Sequence, residues 1–165
     1  SSADMKWSQQ TFVFTATGST TTLSFASSDA TGANDAWGPA LDWVRISQTV
    51  TKQNTSTAIT GLSVSDLDAG SDAIQLKLAV GHGALALGST GGLTAVDSNG
   101  SDGTLSYTGP QSSINAALAS GVIFTPSLNY SGADTLTATI NDLGENGSGG
   151  SLSAVQLVGI SVLAG

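Results

Sequence analysis

Two aspartates, placed where a strand opens into a loop, are the residues of this chain best suited to chemistry. Asp66 and Asp68 stand two positions apart after a strand-like run, and Gly70 lets the chain turn. Carboxylates at this spacing can converge on one hard cation, because Ca²⁺ takes six to eight oxygen ligands at about 2.3–2.6 Å. An Asn-Asp pair repeats the arrangement later in the chain. The predicted Ca²⁺ ligands are Asp66, Asp68, Asp72, Asn141, Asp142 and Glu145.

The same residue types have a second interpretation. Asp and Asn in Gly-rich loops commonly accept hydrogen bonds from their own backbone, which makes a turn rather than a metal site. This interpretation is the better one for Asp97, Asn99 and Asp102, because no bidentate Glu follows them at the spacing of an EF-hand. We predict a solvated hairpin tip at that position.

The charge balance excludes some classes of partner. The chain has 12 acidic and 4 basic residues, for a formal net charge of −8. Nucleic acids and anionic membrane surfaces both call for a cluster of Lys and Arg, so we expect neither as a partner. No apolar run approaches the ~18 residues that span a bilayer, which predicts no membrane insertion. The absence of cysteine excludes disulfides, but it does not place the chain in the cytosol, since some secreted proteins also lack cysteine.

Catalytic patterns are missing from the sequence. The sole histidine, His82, lies between Gly81 and Gly83 and is typical of a turn. No nucleophile elbow, zinc-protease helix or phosphate loop is present. We therefore predict that the chain is not an enzyme.

Alternation of apolar and polar residues predicts an all-β fold, a Greek-key sandwich with one short helix. The helix is expected at 112–121, with Ser112 or Ser113 as its cap and Gly121 as its end. Residues 48–56 suit a linker or a first edge strand. The predicted strands are 11–15, 20–25, 41–46, 57–64, 74–80, 84–87, 93–96, 104–108, 121–125, 134–141 and 151–163.

Several short motifs in residues 57–165 follow one another in the order of a known repeat. They are ITGLSVSDLDAG at 59–70, GALAL at 83–87, YTG at 107–109, INAAL at 114–118, FTP at 124–126, NYSGADTLT at 129–137 and NDLG at 141–144. This part of the chain resembles a cadherin-like repeat of large bacterial surface adhesins. The resemblance implies a calcium-binding β-sandwich, arranged in tandem on a cell surface.

Residues 10–47 resemble the last strands of a galactose-binding-like jelly roll. The matching runs are TFVFTATGSTTTLSF at 11–25 and GPALDWVRI at 38–46, although Trp43 stands where that family more often has Asn. We therefore divide the chain into a partial β segment at 1–48 and a cadherin-like sandwich at 49–165.

The partial segment cannot close a sandwich alone, since a small sheet with one open face is marginal in water. Three explanations remain open. The chain is a fragment of a longer protein, or its strands pack on the C-terminal sandwich, or they add to a sheet of another copy. Repeated addition would build a filament. It would bury Phe12, Phe14, Leu23 and Phe25.

A tryptophan-containing loop offers a different function. Trp37 and Trp43 could stack on sugar rings, while Asn34, Asp35 and Asp42 could bond the hydroxyls. Subunit contact and plain packing are alternatives, because exposed Trp also marks protein interfaces.

The function we expect is structural: an extracellular bacterial surface adhesin, or a subunit of a biofilm matrix or filament, stiffened by Ca²⁺. Its partners would be other copies of itself or tandem repeats. The alternative is a carbohydrate-binding module whose partner is a glycan.

Overall fold

The computed structural model of the protein describes residues 48–65, 71–144 and 151–165. Within them, two β-sheets pack face to face, with one short α-helix at one end. The larger sheet has the strand order β1-β9-β8-β3-β6-β5 and the smaller one the order β2-β7-β4. The strands are β1 (Gln48–Lys52), β2 (Thr57–Ile59), β3 (Ala73–Ala79), β4 (Gly83–Leu87), β5 (Thr94–Asp97), β6 (Thr104–Pro110), β7 (Val122–Pro126), β8 (Gly132–Asn141) and β9 (Ser153–Leu163).

The period-two pattern explains why each strand has one buried face. In β3, Ile74, Leu76 and Leu78 are buried, while Lys77 between them is exposed. Successive side chains of a strand point to opposite faces, so this alternation directs one apolar row between the sheets. The fully buried side chains include Phe124 and Val122 of the smaller sheet and Leu136 and Val158 of the larger one. The core is therefore the space between the sheets.

The all-β sandwich with one short helix is confirmed. The helix, α1, spans Gln111–Ala119 and buries Ile114, Ala117 and Leu118 against the core. Its start differs from the prediction: the cap position is Pro110, and no side chain caps the helix. Pro110 has a φ of −58° and a ψ of 148°, an extended conformation that the proline ring allows just before the first helical residue. A 3-10 turn at Gly100–Asp102 is a second helical element that the sequence did not indicate.

The strand predicted at 57–64 was too long. β2 stops at Ile59, and residues 60–65 follow an irregular path. Gly61 has a φ of +80°, a left-handed conformation that interrupts a strand. Leu62 is nevertheless buried in the core, which accounts for the strand-like sequence pattern.

Residues 48–52 form an edge strand rather than a linker. β1 pairs in parallel with β9, from Gln48 opposite Gly159 to Lys52 opposite Leu163. β8 runs antiparallel to both β9 and β3. The sandwich thus has two ends, which we name by one residue each. At the Asp142 end, β8 stops and β3 and β9 start; at the Asn129 end, β1, β3 and β9 stop and β8 starts.

No helix in the described ranges 48–65, 71–144 and 151–165 is long and apolar enough to cross a membrane.

Candidate functional site

The fold brings the described part of the predicted Ca²⁺ site to one end of the larger sheet. Gln75 of β3 lies opposite Asn141 of β8. Asp72, which precedes β3, and Asp142, which follows β8, therefore both belong to the Asp142 end. Asp66, Asp68 and Glu145 lie outside the described residues. Their nearest described neighbours in the chain are Ser65, Ser71 and Gly144.

Asp142 closes the connection between β8 and β9. Its Oδ1 accepts hydrogen bonds from the backbone N–H groups of Gly144, at 2.9 Å, and Leu152, at 2.7 Å. The Asp142 N–H in turn donates to the Leu152 carbonyl oxygen at 3.1 Å. One carboxylate oxygen thus organises both sides of the loop.

Asn141 makes a second turn within the same connection. Its Oδ1 accepts from the Leu143 N–H at 2.7 Å, and its Nδ2 donates to the Ser153 hydroxyl at 2.7 Å. Leu143 has a φ of +60°, which the short bond from Asn141 supports. The turn interpretation therefore describes the contacts of Asn141 and Asp142 in this structure.

The described contacts do not supply a complete Ca²⁺ site. A carboxylate has about four lone-pair positions, and the two described bonds to Asp142 both fall on Oδ1. The oxygen donors are of the kind that Ca²⁺ prefers. In the described part of the chain, however, no group of three or more His, Cys, Asp or Glu side chains could hold a metal ion. A Ca²⁺ site here needs Asp66, Asp68 or Glu145.

Asn115 of α1 positions the segment that leads to Asp66. Its Oδ1 accepts from the Val64 N–H at 2.8 Å, and its Nδ2 donates to the Val64 carbonyl oxygen at 2.9 Å. The side-chain amide thereby replaces the neighbouring strand that residue 64 lacks. Sequence reasoning assigned no role to Asn115. A polar residue beside the buried face of α1 was the available signal.

The loop around Asp97 and Asp102 is a turn built from its own side chains. Asp97 accepts from the Asn99 N–H at 3.0 Å, and Asp102 accepts from the Thr104 N–H at 2.9 Å. The N–H of Thr104, together with its hydroxyl, lowers the pKa of the Asp102 carboxyl. These contacts agree with the predicted hairpin tip, which lies at the Asn129 end because β6 starts there.

His82 lies in a turn at the Asn129 end, as the sequence suggested, and it is part of an aromatic contact. Its ring stacks on Tyr130 with centroids 4.2 Å apart and an angle of 5°. Burial raises the pKa of the Tyr130 hydroxyl, and the charge of Asp134 raises it further. The hydroxyl donates to the Ala133 carbonyl oxygen at 2.6 Å. The contact joins the β3–β4 turn to the β7–β8 connection.

Asp134 holds the β3–β4 turn through hydrogen bonds to its backbone. Its side chain is 5% exposed, whereas that of His82 is 55% exposed. The carboxylate accepts from the backbone N–H groups of Gly81, at 3.0 Å, and His82, at 2.8 Å. The N–H of Thr135 donates to it as well, at 2.7 Å. These bonds let Asp134 hold the β3–β4 turn against the start of β8.

A polar cluster, which we call the Asn129 latch, holds the end of β1. It consists of Gln53, Asn54, Asn129 and Gly165. Asn54 Oδ1 accepts from the Asn129 N–H at 2.9 Å, and Asn54 Nδ2 donates to Asn129 Oδ1 at 3.2 Å. Gln53 Nε2 donates to the Asn129 carbonyl oxygen at 2.6 Å, and Gln53 Oε1 accepts from the Gly165 N–H at 3.0 Å. The latch escaped sequence reasoning because its members are far apart in the chain.

The other predicted sites lie outside the described residues. They are the sugar or interface residues Asn34, Asp35, Trp37, Asp42 and Trp43, and the intersubunit residues Phe12, Phe14, Leu23 and Phe25. Both sets remain predictions.

No protein-family model matches this chain, and no curated protein matches its sequence. The likeness to cadherin-like repeats therefore depends on the ordered motifs alone and stays a prediction.

Proposed function

We propose that this chain is a structural module of an extracellular bacterial surface adhesin, matrix or filament, and that Ca²⁺ stiffens its Asp142 end. The observation that carries the proposal is the register of β3 against β8. It gathers Asp72, Asn141 and Asp142 at one end of the larger sheet, next to the points where residues 66–70 and 145–150 join the described chain.

The course of the chain through the sandwich supports a module that works in series. β1 and β9 are parallel neighbours, and both run towards the Asn129 end. The chain therefore enters β1 from the direction of the Asp142 end and leaves β9 at the opposite end. Modules with this geometry can follow one another along a line.

Ca²⁺ at the Asp142 end would act at the end of the larger sheet from which β1 and β9 both run. The carboxylates of Asp66, Asp68 and Asp72, together with Asp142, would repel one another without a cation. Binding would remove that repulsion and tie the 66–72 segment to the β8–β9 loop. Asn115 would assist without touching the ion, because it fixes Val64 just before these carboxylates.

Thermal unfolding in CaCl₂ and in EGTA tests the proposal. Ligand at about 100 times its Kd stabilises a protein by about 2.7 kcal/mol, which raises the melting temperature of a chain of this size by roughly 5–11 °C. We expect Asp66→Asn combined with Asp68→Asn to abolish this shift. Asp97→Asn is the matched control, since it removes a carboxylate at the opposite end and should keep the shift.

Equal melting temperatures in CaCl₂ and EGTA would contradict the calcium part of the proposal. Electron microscopy of the same samples then distinguishes two kinds of module. Fibres would identify a polymerising subunit, and single particles would identify a repeat that acts within a longer chain.

A further inference from the structure

The edge of the larger sheet joins the strand that enters the sandwich to the strand that leaves it. All five residues of β1 pair with β9 in unbroken register. The pairing continues beyond the strand, because the Gln53 N–H donates to the Leu163 carbonyl oxygen at 2.9 Å. The first and the last strand of the described sandwich are thus joined by one hydrogen-bond ladder.

The direction of these strands decides how that ladder responds to tension. A force that draws residue 48 and residue 165 apart pulls β1 towards the Asp142 end and β9 away from it. The strands must then slide past each other, so the hydrogen bonds between them share the force and must fail together. Tension across the strands would instead break the same bonds one at a time.

The Asn129 latch opposes the same sliding movement. Gln53 and Asn54 follow β1 directly, and their side chains bond to Asn129 in the β7–β8 connection. Gln53 also accepts from the N–H of Gly165, beyond β9. Withdrawal of β1 towards the Asp142 end therefore requires these side-chain bonds to break along with the ladder.

We infer that the β1–β9 ladder and the Asn129 latch form a clamp that makes this module resist tension between its incoming and outgoing chain. The inference rests on the proposed function only for the source of the tension. The clamp itself is a property of the sandwich and is independent of Ca²⁺, since its described bonds lie away from the Asp142 end.

Single-molecule pulling on the full chain tests the clamp. The chain has no cysteine, so introduced cysteines give unique attachment points. The sliding geometry uses Gln48→Cys with Gly165→Cys. The peeling geometry uses Lys52→Cys with Gly165→Cys, which attaches both handles at the Asn129 end. We expect the unfolding force to be several-fold higher in the sliding geometry, and equal forces would overturn the inference.

Side-chain variants in the sliding geometry test the latch. Gln53→Ala removes two latch bonds, and Asn54→Gly removes two more while keeping a left-handed backbone that glycine tolerates. Forced unfolding is governed by the unfolding rate, so each variant should lower the force and raise that rate about tenfold for each 1.4 kcal/mol lost from the barrier. Gln75→Ala, on the central strand β3, is the matched control and should leave the force unchanged.

Unfolding forces for Gln53→Ala and Asn54→Gly that equal the force for Gln75→Ala would remove the latch from the clamp. Measurement in both CaCl₂ and EGTA separates this inference from the proposed function. If the sliding geometry gives the higher force in both solutions but Ca²⁺ has no effect on stability, the clamp is supported and the calcium proposal is contradicted. If Ca²⁺ raises the stability but the two geometries give equal forces, the calcium proposal is supported and the clamp is contradicted.

Discussion

The β8–β9 loop at one end of the sandwich and the Asn129 latch at the other use polar side chains in different ways. At the Asp142 end, Asn141 and Asp142 bond mainly to the loop that contains them. At the Asn129 end, Gln53 and Asn54 bond to Asn129, which lies 75 and more positions away. An Asn or Asp in a loop can therefore either shape its own turn or hold two distant segments together.

The difference has a physical consequence for function. Side chains that serve only their own turn can exchange a bond for a metal ion while the rest of the fold stays in place. Side chains that join distant segments cannot change partners without opening the sandwich. At the Asp142 end the β8–β9 loop is therefore adaptable, whereas at the Asn129 end the latch and the turn held by Asp134 are fixed.

Removal of Asp134 should produce the largest effect of any single carboxylate at the two ends. Asp134→Ala leaves the N–H groups of Gly81 and His82 without their acceptor beside an almost fully buried position. Hydrogen bonds to charged groups contribute about 1.5–3 kcal/mol, so we expect the free energy of unfolding to fall by about 3 kcal/mol. Urea denaturation in CaCl₂ and in EGTA measures it, and the loss should be the same in both.

The matched variant at the other end is Asp142→Ala. In EGTA it should cost only about 1 kcal/mol, because Asp142 is half-buried and water can replace part of its two bonds, whereas the Asp134 side chain is 5% exposed. A loss equal to that of Asp134→Ala would break the distinction between a fixed and an adaptable end.

Removal of Asn115 should lower the free energy of unfolding by an intermediate amount and should also weaken Ca²⁺ binding. Asn115→Ala loses both bonds to Val64 in a partly buried position, which should lower the free energy of unfolding by about 2 kcal/mol. Because the 60–65 segment then loses its anchor, the affinity for Ca²⁺ should fall as well. Calorimetric titration measures that affinity.

Ser112→Ala is the control on the same helix, since Ser112 is exposed and does not cap α1. An Asn115→Ala protein with unchanged Ca²⁺ affinity would show that the anchored segment has no part in a metal site.

The smallest effect should come from Asp102. The Thr104 N–H lowers the pKa of this carboxyl in the folded state, so folding favours its charged form. The resulting stability is present above the ordinary aspartate pKa and is lost as the pH falls through the lowered value, below about pH 4. Denaturation between pH 5 and 2 should therefore show a slightly weaker acid dependence for Asp102→Asn than for the unaltered chain. If the free energy of unfolding of Asp102→Asn depends on pH in the same way as that of the unaltered chain, Asp102 does not contribute to the acid dependence.

Prediction from the sequence worked where structure depends on near neighbours. The alternation of Ile74, Leu76 and Leu78 with polar residues identified a buried strand, because side-chain direction follows from strand geometry alone. The apolar positions of INAAL identified α1 for a similar reason. The prediction of a strand was wrong at residues 60–65. Leu62 is buried there as in a strand, but the left-handed conformation of Gly61 ends the pairing of β2 with β7.

The sequence by itself determined the all-β class, the short helix, the apolar rows and the acidic turns, since each of these depends on residue types a few positions apart. The tertiary structure alone decided that Asn115 holds Val64, that Asp134 holds the β3–β4 turn, and that Gln53, Asn54 and Asn129 meet. Those contacts join segments whose separation along the chain carries no signal. They exist because sheet packing and strand register bring the segments within hydrogen-bonding distance.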